Sequence, residues 1–337
     1  MKKKTKTFIR SCICVLASAL VLTSVASCKK TDKKDAVAEK QNLILGFSQI
    51  GSESAWRTRN TESIFEAAAE NNIQIIFDDA QQKQSNQLQA IRSFIVYQVD
   101  VIAFVPIVED GWDNVLQEAK EAGIPVIIVD RQIKADPSLY AGFLGENGFQ
   151  EGKSAAEFLI NKCSANNSKI NIVEFSGTEN SSVATGRAAG FRDVIKNHSK
   201  FNIVHSIDGD FLRSRGKEIM DNIISENGGL FYKGQKIDVI YSHNDSMTLG
   251  ILDSMTANNI DPKETIIISI DAEQKSIDAL KQGKLSCVVE CNPNLGPTLM
   301  ELVKKIAEGT PIPEVTYMTE SVFTENDDFS TYLPRGY

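Results

Sequence analysis

Charged and aromatic side chains follow several apolar segments of this chain, at points where a buried strand would pass into a helix. The clearest stretch is GSESAWRTRN, residues 51–60, which places Glu53, Trp56 and Arg57 directly after the apolar run LILGF. Arginine side chains are planar forks that grip two oxygens at once, and an aromatic ring packs against C–H groups. This set suits a polyhydroxylated molecule with an apolar face. We expect the stretch to be a ligand loop, with the helix behind it beginning at about Thr58. A helix start with a purely structural tryptophan is the alternative.

Polar groups recur after the later apolar runs. They occur at Asp78–Gln81, Asp130–Arg131, Asp208–Phe211, His243–Asp245 and Asp271. Each group alone could be a surface ion pair, and Asn244 could simply cap the next helix. Ligands of open α/β sheets lie beyond the carboxyl ends of the strands, so the joint occurrence of these groups predicts a binding cleft. Phe47 and Phe211 are further candidates for an aromatic ring in that cleft.

The elements that would carry these groups alternate regularly along the chain. Apolar strand-like runs such as VDVIAFVP and IPVIIVD are separated by segments of helical period, such as SNQLQAIRSFIVYQ. Continuously apolar strands joined through helices are typical of parallel sheets that are covered on both faces. The pattern restarts near residues 145–150. The sequence therefore predicts an α/β protein with two doubly wound, Rossmann-like parallel-sheet lobes.

Motifs of known enzyme classes are missing from the sequence. There is no G-x-G-x-x-G after the first strand, no P-loop and no G-x-S-x-G elbow. The three histidines have no metal-ligand spacing, and no histidine or further cysteine accompanies Cys287 and Cys291 at the spacing of a metal site. We therefore expect no enzyme activity, no cofactor and no metal. Buried free thiols are the favoured reading of the cysteines, and a bridge from Cys163 stays open.

The N-terminus has the features of an export signal. Five positive charges in MKKKTKTFIR precede a short apolar run and Val25-Ala26-Ser27-Cys28, which resembles a bacterial lipobox. We expect residues 1–27 to be removed, Cys28 to carry lipid, and residues 28–42 to form a flexible tether. A plain signal peptide is the alternative. Removal of residues 1–27 lowers the net charge from −8 to −13, which disfavours nucleic acid as a partner.

Longer motifs of the chain are similar to one protein family. GFSQIGSESAWR, DDAQQKQSNQLQAIRSFI, VDVIAFVPIVEDGW and IPVIIVDR resemble the sugar-binding proteins of ABC importers, which have the type I periplasmic-binding fold. GDFLRSRGKEIM, YSHND and CNPNLGP resemble most the members that bind galactofuranose. The resemblance covers residues 43–337. It implies an N-terminal lobe of residues 43–146 plus 292–320, and a C-terminal lobe of residues 147–291 plus 321–337, joined by a three-segment hinge.

The resemblance also implies a site, a function and partners. The ligand-binding residues would be Glu53, Trp56, Arg57, Asp130, Arg131, Arg187, Asn244 and Asp271. The chain would be a monomer that captures a monosaccharide, galactofuranose or a related aldose, outside the cytoplasm. It would deliver the sugar to the permease and ATPase of an ABC transporter, and its lipid would hold it to the membrane. The alternative is a sensor that presents sugar to a chemoreceptor or a histidine kinase.

Overall fold

The apolar runs of the first half become the strands of one parallel sheet. A computed structural model describes residues 42–337, and the predicted signal peptide, Cys28 and nearly all of the tether lie outside the described residues. The elements of the first half are β1 (Ile44–Gln49), α1 (Ala55–Glu70), β2 (Gln74–Asp79), α2 (Gln84–Tyr97), β3 (Val101–Phe104), α3 (Asp113–Glu121), β4 (Val126–Val129) and β5 (Gly142–Gly145). Strands β3, β4 and β5 are buried on both faces, as continuously apolar runs require.

The second half builds another sheet of the same kind. Its elements are α4 (Gly148–Lys162), β6 (Ile170–Ser176), α5 (Ser182–Ile195), β7 (Phe201–Asp208), α6 (Arg213–Asn227), the hairpin β8 (Phe231–Tyr232) and β9 (Gln235–Lys236), β10 (Val239–Ser242), α7 (Asp245–Ala257), β11 (Ile266–Asp271), α8 (Gln274–Lys281), β12 (Cys287–Glu290), α9 (Gly296–Ala307), β13 (Val315–Tyr317) and β14 (Val322–Thr324). The strand orders are β13-β5-β4-β3-β1-β2 and β14-β12-β11-β10-β6-β7. All neighbours are parallel except β12 and β14. The predicted fold class is confirmed.

The chain passes between the two sheets three times. It leaves the first sheet after β5, returns after β12 to place α9 against α1, and crosses again between β13 and β14. The three connections are residues 146–147, 291–295 and 318–321. Residues 42–337 form one compact unit, so the division into two lobes that move separately stays a prediction.

Local sequence explains where the elements begin and end. The side chain of Ser54 accepts a hydrogen bond from the Arg57 amide and starts α1 at Ala55, three residues before the helix start expected at Thr58. Gly123, with φ of 73°, ends α3 and turns the chain into β4. No helix within residues 42–337 is long and apolar enough to cross a membrane.

Two glycines let α4 and α5 pack backbone to backbone. A Cβ at Gly190 would lie 1.9 Å from the carbonyl oxygen of Phe149, and one at Gly152 would lie 2.1 Å from that of Arg187. We expect Gly190→Ala to lower the free energy of unfolding by about 2 kcal/mol, because the helices must separate. Urea unfolding measures the change. Ala189→Ser, on the exposed face of α5, should change it by less than about 0.5 kcal/mol. An equal effect of both substitutions would contradict this packing argument.

Candidate functional site

A cavity lies where the carboxyl ends of the two sets of strands meet. Its atom-free space is about 320 Å³, part of which is open to solvent. All eight residues expected at the binding site line it, together with four more: Ser54, Val183, Phe211 and Cys291. We call this space the cleft cavity. The first sheet and α1 supply one side. The other side comes from α5, the last residue of β11, and residues that follow β7, β10 and β12.

The first turn of α1 brings three of these residues together. Trp56 and Arg57 belong to the helix itself, whereas the sequence placed them in the preceding loop. Arg57 donates to Glu53 at 3.0 Å and to Asp130 at 2.6 Å, and its guanidinium stacks 4.7 Å from the centre of the Trp56 ring. Burial lowers the pKa of Arg57, but Asp130 and Glu53 outweigh burial and raise it above its ordinary value. This arginine is therefore a fixed cation, and its Nη1 has no partner among the described residues.

Trp56 also ties the two sides of the cleft. Its indole Nε1 donates to the carbonyl oxygen of Cys291 at 2.6 Å, and its backbone amide lies 3.3 Å from Glu273 Oε1. The ring is almost fully buried between α1 and the second sheet. Trp56 is thus both a packing residue and part of the cavity wall. The ligand-facing and the structural interpretation of this tryptophan therefore do not exclude each other.

Arg131 is the least neutralised arginine of the cavity. It follows β4, is 3% exposed, and donates to the carbonyl oxygen of Ile107 at 3.2 Å. Its closest carboxylate oxygens, on Glu53 and Asp130, are 4.0 and 3.9 Å away. Burial and the neighbouring Arg57 lower the pKa of Arg131 to about 10, so the guanidinium stays charged at neutral pH. Its fork is positioned to bind a ligand oxygen.

Phe211 is the second ring of the cavity. Its centre lies 5.4 Å from the guanidinium of Arg131 and 5.9 Å from that of Arg187, so it sits between arginines from both sides of the cleft. Gly177 makes room for it, since a Cβ there would lie 1.9 Å from the ring. Phe47 is no such ring: it is fully buried in the core of the first sheet.

The remaining predicted residues come from the second sheet. Arg187 donates to Glu151 at 2.6 Å and to the carbonyl oxygen of His243, and its Nη2 is 3.8 Å from Asp271. Burial raises the pKa of Asp271 well above its ordinary value, although Arg187 acts in the opposite direction. Asn244 caps α7, the structural alternative that the sequence left open, and it also lines the cavity and donates to the carbonyl oxygen of Phe211 at 3.2 Å.

The charges of the cleft cavity nearly cancel. Each of its three guanidiniums has a carboxylate oxygen within 4.0 Å, on Asp130, Glu53 and Glu151 respectively. A cavity without surplus positive charge does not favour an anion. Forks, carboxylates and two rings instead match neutral vicinal hydroxyls and C–H faces.

Further residues lie behind the cavity, and the sequence did not indicate Glu151 among them. Glu151, one turn into α4, holds Arg187, and no local pattern marks it. His243 is buried behind the site, where it contacts Glu174 at 3.2 Å. Cys163, Cys287 and Cys291 are buried free thiols. Among the described residues, a carboxylate oxygen of Glu151, the sulfur of Cys291 and a carboxylate oxygen of Glu320 lie within 4.8 Å of one another. The spacing of the cysteines did not indicate this cluster.

The sequence and the structure both match known proteins. Residues 45–311 match the family described as periplasmic binding protein domain. The chain belongs to the periplasmic binding protein family. The galactofuranose-binding protein YtfQ of Escherichia coli is 39% identical over 83% of this chain and 86% of its own length. The prediction of a binding protein rather than an enzyme is confirmed by this membership.

Two solved structures are also similar to this chain. A protein from Mycobacterium smegmatis in complex with β-D-fucofuranose is 41% identical, with a TM-score of 0.80 over 84% of this chain and 91% of its own. The binding protein of the arabinose ABC transporter from Shewanella sp. ANA-3, bound to α- and β-L-arabinofuranose, is 37% identical, with a TM-score of 0.78 over 84% and 92%. The expected relation to sugar-binding import proteins is confirmed. Members of this family act outside the cytoplasm.

Proposed function

We propose that this chain captures a monosaccharide in its furanose form, galactofuranose or a related aldose, and delivers it to an ABC permease. The observation that carries the proposal is the cleft cavity, where three buried guanidiniums, carboxylates and two aromatic rings converge from both sheets. The sequence relatives support the ring form, because three of them are described as binding galactofuranose, fucofuranose or arabinofuranose.

The eight predicted residues would bind the sugar from two sides. Trp56, Arg57, Asp130 and Arg131, with Glu53, belong to the first sheet and α1; Arg187, Asn244 and Asp271 belong to the second sheet and its helices. A ligand that contacts both sides at once stabilises the closed cleft over an open one, which is hinge closure. The three connections between the sheets would be the hinge.

Anchoring completes the proposed function. Cys28 would carry lipid after removal of residues 1–27, and the tether would let the folded body reach a permease in the same membrane. Retention of the sugar-loaded protein by its permease in a pull-down would support delivery. Retention by a histidine kinase instead would favour the sensor.

Ring form can be tested with two locked polyols. 1,4-Anhydrogalactitol has the five-membered ring and 1,5-anhydrogalactitol the six-membered ring, and neither opens or carries an anomeric group. We expect calorimetric titration to give a Kd on the order of 1 μM or lower for the five-membered ring and at least about 100-fold weaker binding for the other. Arabinose, ribose, glucose and inositol extend the panel. Tighter binding of the six-membered ring would contradict the furanose proposal.

A further inference from the structure

The three connections between the sheets each bring one titratable side chain to the same buried place. Glu146 follows β5, Cys291 follows β12, and Glu320 lies between β13 and β14. Glu151, in the first turn of α4, is the fourth member. A carboxylate oxygen of Glu151, the sulfur of Cys291 and a carboxylate oxygen of Glu320 lie within 4.8 Å of one another. We call these four residues the hinge cluster.

The carboxyl groups of the hinge cluster outnumber their partners. Glu146 is 5% exposed, and neither of its oxygens has a hydrogen-bond partner among the described residues. The same holds for one oxygen of Glu151 and one of Glu320. One cation, Arg187, contacts the group, through Glu151. Two buried carboxylates and a third that is partly buried, beside a single guanidinium, are costly, and the binding of protons removes that cost.

Further charged or titratable groups surround the hinge cluster. They are Asp130 after β4, Arg187 on α5, Asp271 at the end of β11, Glu290 on β12, and Tyr337 and Arg335 near the C-terminus, of which Arg335 pairs with Glu290. Burial first, and Glu151 second, raise the pKa of Glu320 to about 10. Burial first, and Asp130 second, raise the pKa of Glu146 well above its ordinary value. Arg187 acts in the opposite direction for both groups.

We propose that closure of the cleft takes up protons at the hinge cluster, so that sugar is bound more tightly at lower pH. This inference rests on the proposed closure around a sugar. Opening would turn the two sheets away from each other about the three connections and admit water from the cleft to Glu146 and Glu320. Their carboxyl groups would then return to ordinary acidity and release their protons.

The direction of the effect follows from linkage. The closed form binds more protons than the open form at every pH between about 4.5, the ordinary value for glutamate, and the raised pKa values. The Kd for sugar therefore increases with pH across neutrality, by up to about tenfold per pH unit for each proton taken up. Below about pH 4.5 both forms are protonated and the dependence ends.

A divalent cation is the other way to neutralise the hinge cluster. Glu151, Cys291 and Glu320 have donor types that zinc accepts. The guanidinium of Arg187 already binds Glu151, however, and would repel a second cation. A metal would also need the thiolate of Cys291, and burial together with Glu151 and Glu146 raises the pKa of that thiol well above its ordinary value. Protons are therefore the favoured occupants.

Calorimetry with a bound sugar tests the proposal directly. The purified protein is titrated with EDTA present, from about pH 5.5 to about pH 8.5, in buffers of different ionisation enthalpy. We expect uptake of about one proton at neutral pH, seen as a buffer-dependent heat and a Kd that rises with pH. The same titrations are repeated without EDTA. A pH effect that appears only without EDTA would show that a metal, not a proton, occupies the cluster, and would overturn the proposal.

Variants identify the groups that bind the protons. Glu320→Gln imitates the protonated acid, so sugar should still bind at neutral pH while the proton uptake and the slope of Kd against pH decrease. Glu146→Gln is the second variant, in case the first does not fold. Glu314→Gln, an exposed glutamate beside β13, is the matched control and should leave both unchanged. Sugar binding with a flat pH profile in the unmodified protein would refute the proton linkage and leave the proposed function intact.

A sugar-independent measurement covers the case in which no sugar of the panel binds. The backbone amide of Gln132 donates to the Ser182 hydroxyl at 2.7 Å across the cleft, so Gln132→Cys with Ser182→Cys could hold the cleft closed by a disulfide. In a Cys28→Ser background, oxidation should then increase the infrared C=O band of a protonated carboxylic acid at neutral pH. Glu320→Gln should diminish that increase. A band that does not increase on cross-linking would overturn the proposal.

Discussion

Arg131→Ala is expected to weaken sugar binding by at least about 100-fold. Arg131 keeps its charge in the cleft cavity, and its nearest carboxylates stand at 3.9 and 4.0 Å, so its fork is available to the ligand. Two hydrogen bonds from a charged donor contribute roughly 1.5–3 kcal/mol each, and a loss of about 3 kcal/mol corresponds to more than 100-fold in Kd. The substitution also removes the contact of Arg131 with Phe211 across the cleft.

Several controls separate lost contacts from lost structure. Glu53 and Asp130 keep Arg57 as their partner in Arg131→Ala, so the melting temperature should change little. Arg131→Lys keeps the charge without the planar fork and should bind with intermediate affinity. Arg92→Ala removes an exposed arginine forked onto Glu118 and should leave the Kd unchanged. A Kd for Arg131→Ala within about fivefold of the unmodified value would place the sugar elsewhere.

Much of the cleft cavity could be predicted because its residues follow apolar strands. Asp130, Arg131 and Asp271 come directly at or after strand ends, and parallel strands bring such ends to one edge of a sheet. Arg187 is different, because it lies inside α5 and only the family resemblance indicated it. The predicted start of α1 was wrong by three residues, because Ser54 caps the helix and starts it at Ala55. Trp56 and Arg57 therefore belong to the helix and not to a loop.

The hinge cluster could not be predicted from local patterns. Glu146, Cys291 and Glu320 are separated by more than a hundred residues or by whole elements, and only the three connections between the sheets bring them together. Strand β13 illustrates the same limit, because it pairs with β5 although most strands of the second sheet lie between the two in the sequence. It is only three residues long and largely exposed, so its pairing follows from the sheet edge that it meets. Such long-range pairings leave no periodic signal in the chain.

Arg187→Leu is expected to reduce the free energy of unfolding by about 3–5 kcal/mol and to abolish sugar binding. Arg187 and Glu151 form a buried ion pair between α5 and α4, with side chains almost inaccessible to solvent. Removing one partner leaves the other as an uncompensated charge in the protein interior, which costs far more than the net strength of the pair. The hydrogen bond to the His243 carbonyl and the proximity to Asp271 are lost with it.

The chain offers a matched pair on its surface. Arg213 grips Asp253 with two hydrogen bonds of 2.9 and 3.1 Å between α6 and α7, so it is an interhelical arginine–carboxylate pair like Arg187 with Glu151, but about half exposed. Arg213→Leu should cost less than about 1 kcal/mol, since water replaces the guanidinium. Urea unfolding of the two variants compares a buried with an exposed arginine–carboxylate pair. Equal losses in the free energy of unfolding would show that burial does not determine the cost.

A second substitution tests the cause of the loss in Arg187→Leu. If the cost arises from the stranded carboxylate, Glu151→Leu added to Arg187→Leu should recover most of the lost stability, because an apolar pair of similar volume replaces the ions. The double-mutant cycle then gives a coupling energy close to the loss in the single variant. Sugar binding should not return, because the fork that faces Asp271 and Phe211 is still missing. Recovery of stability without recovery of binding would therefore separate the structural role of Arg187 from its proposed contact with the ligand.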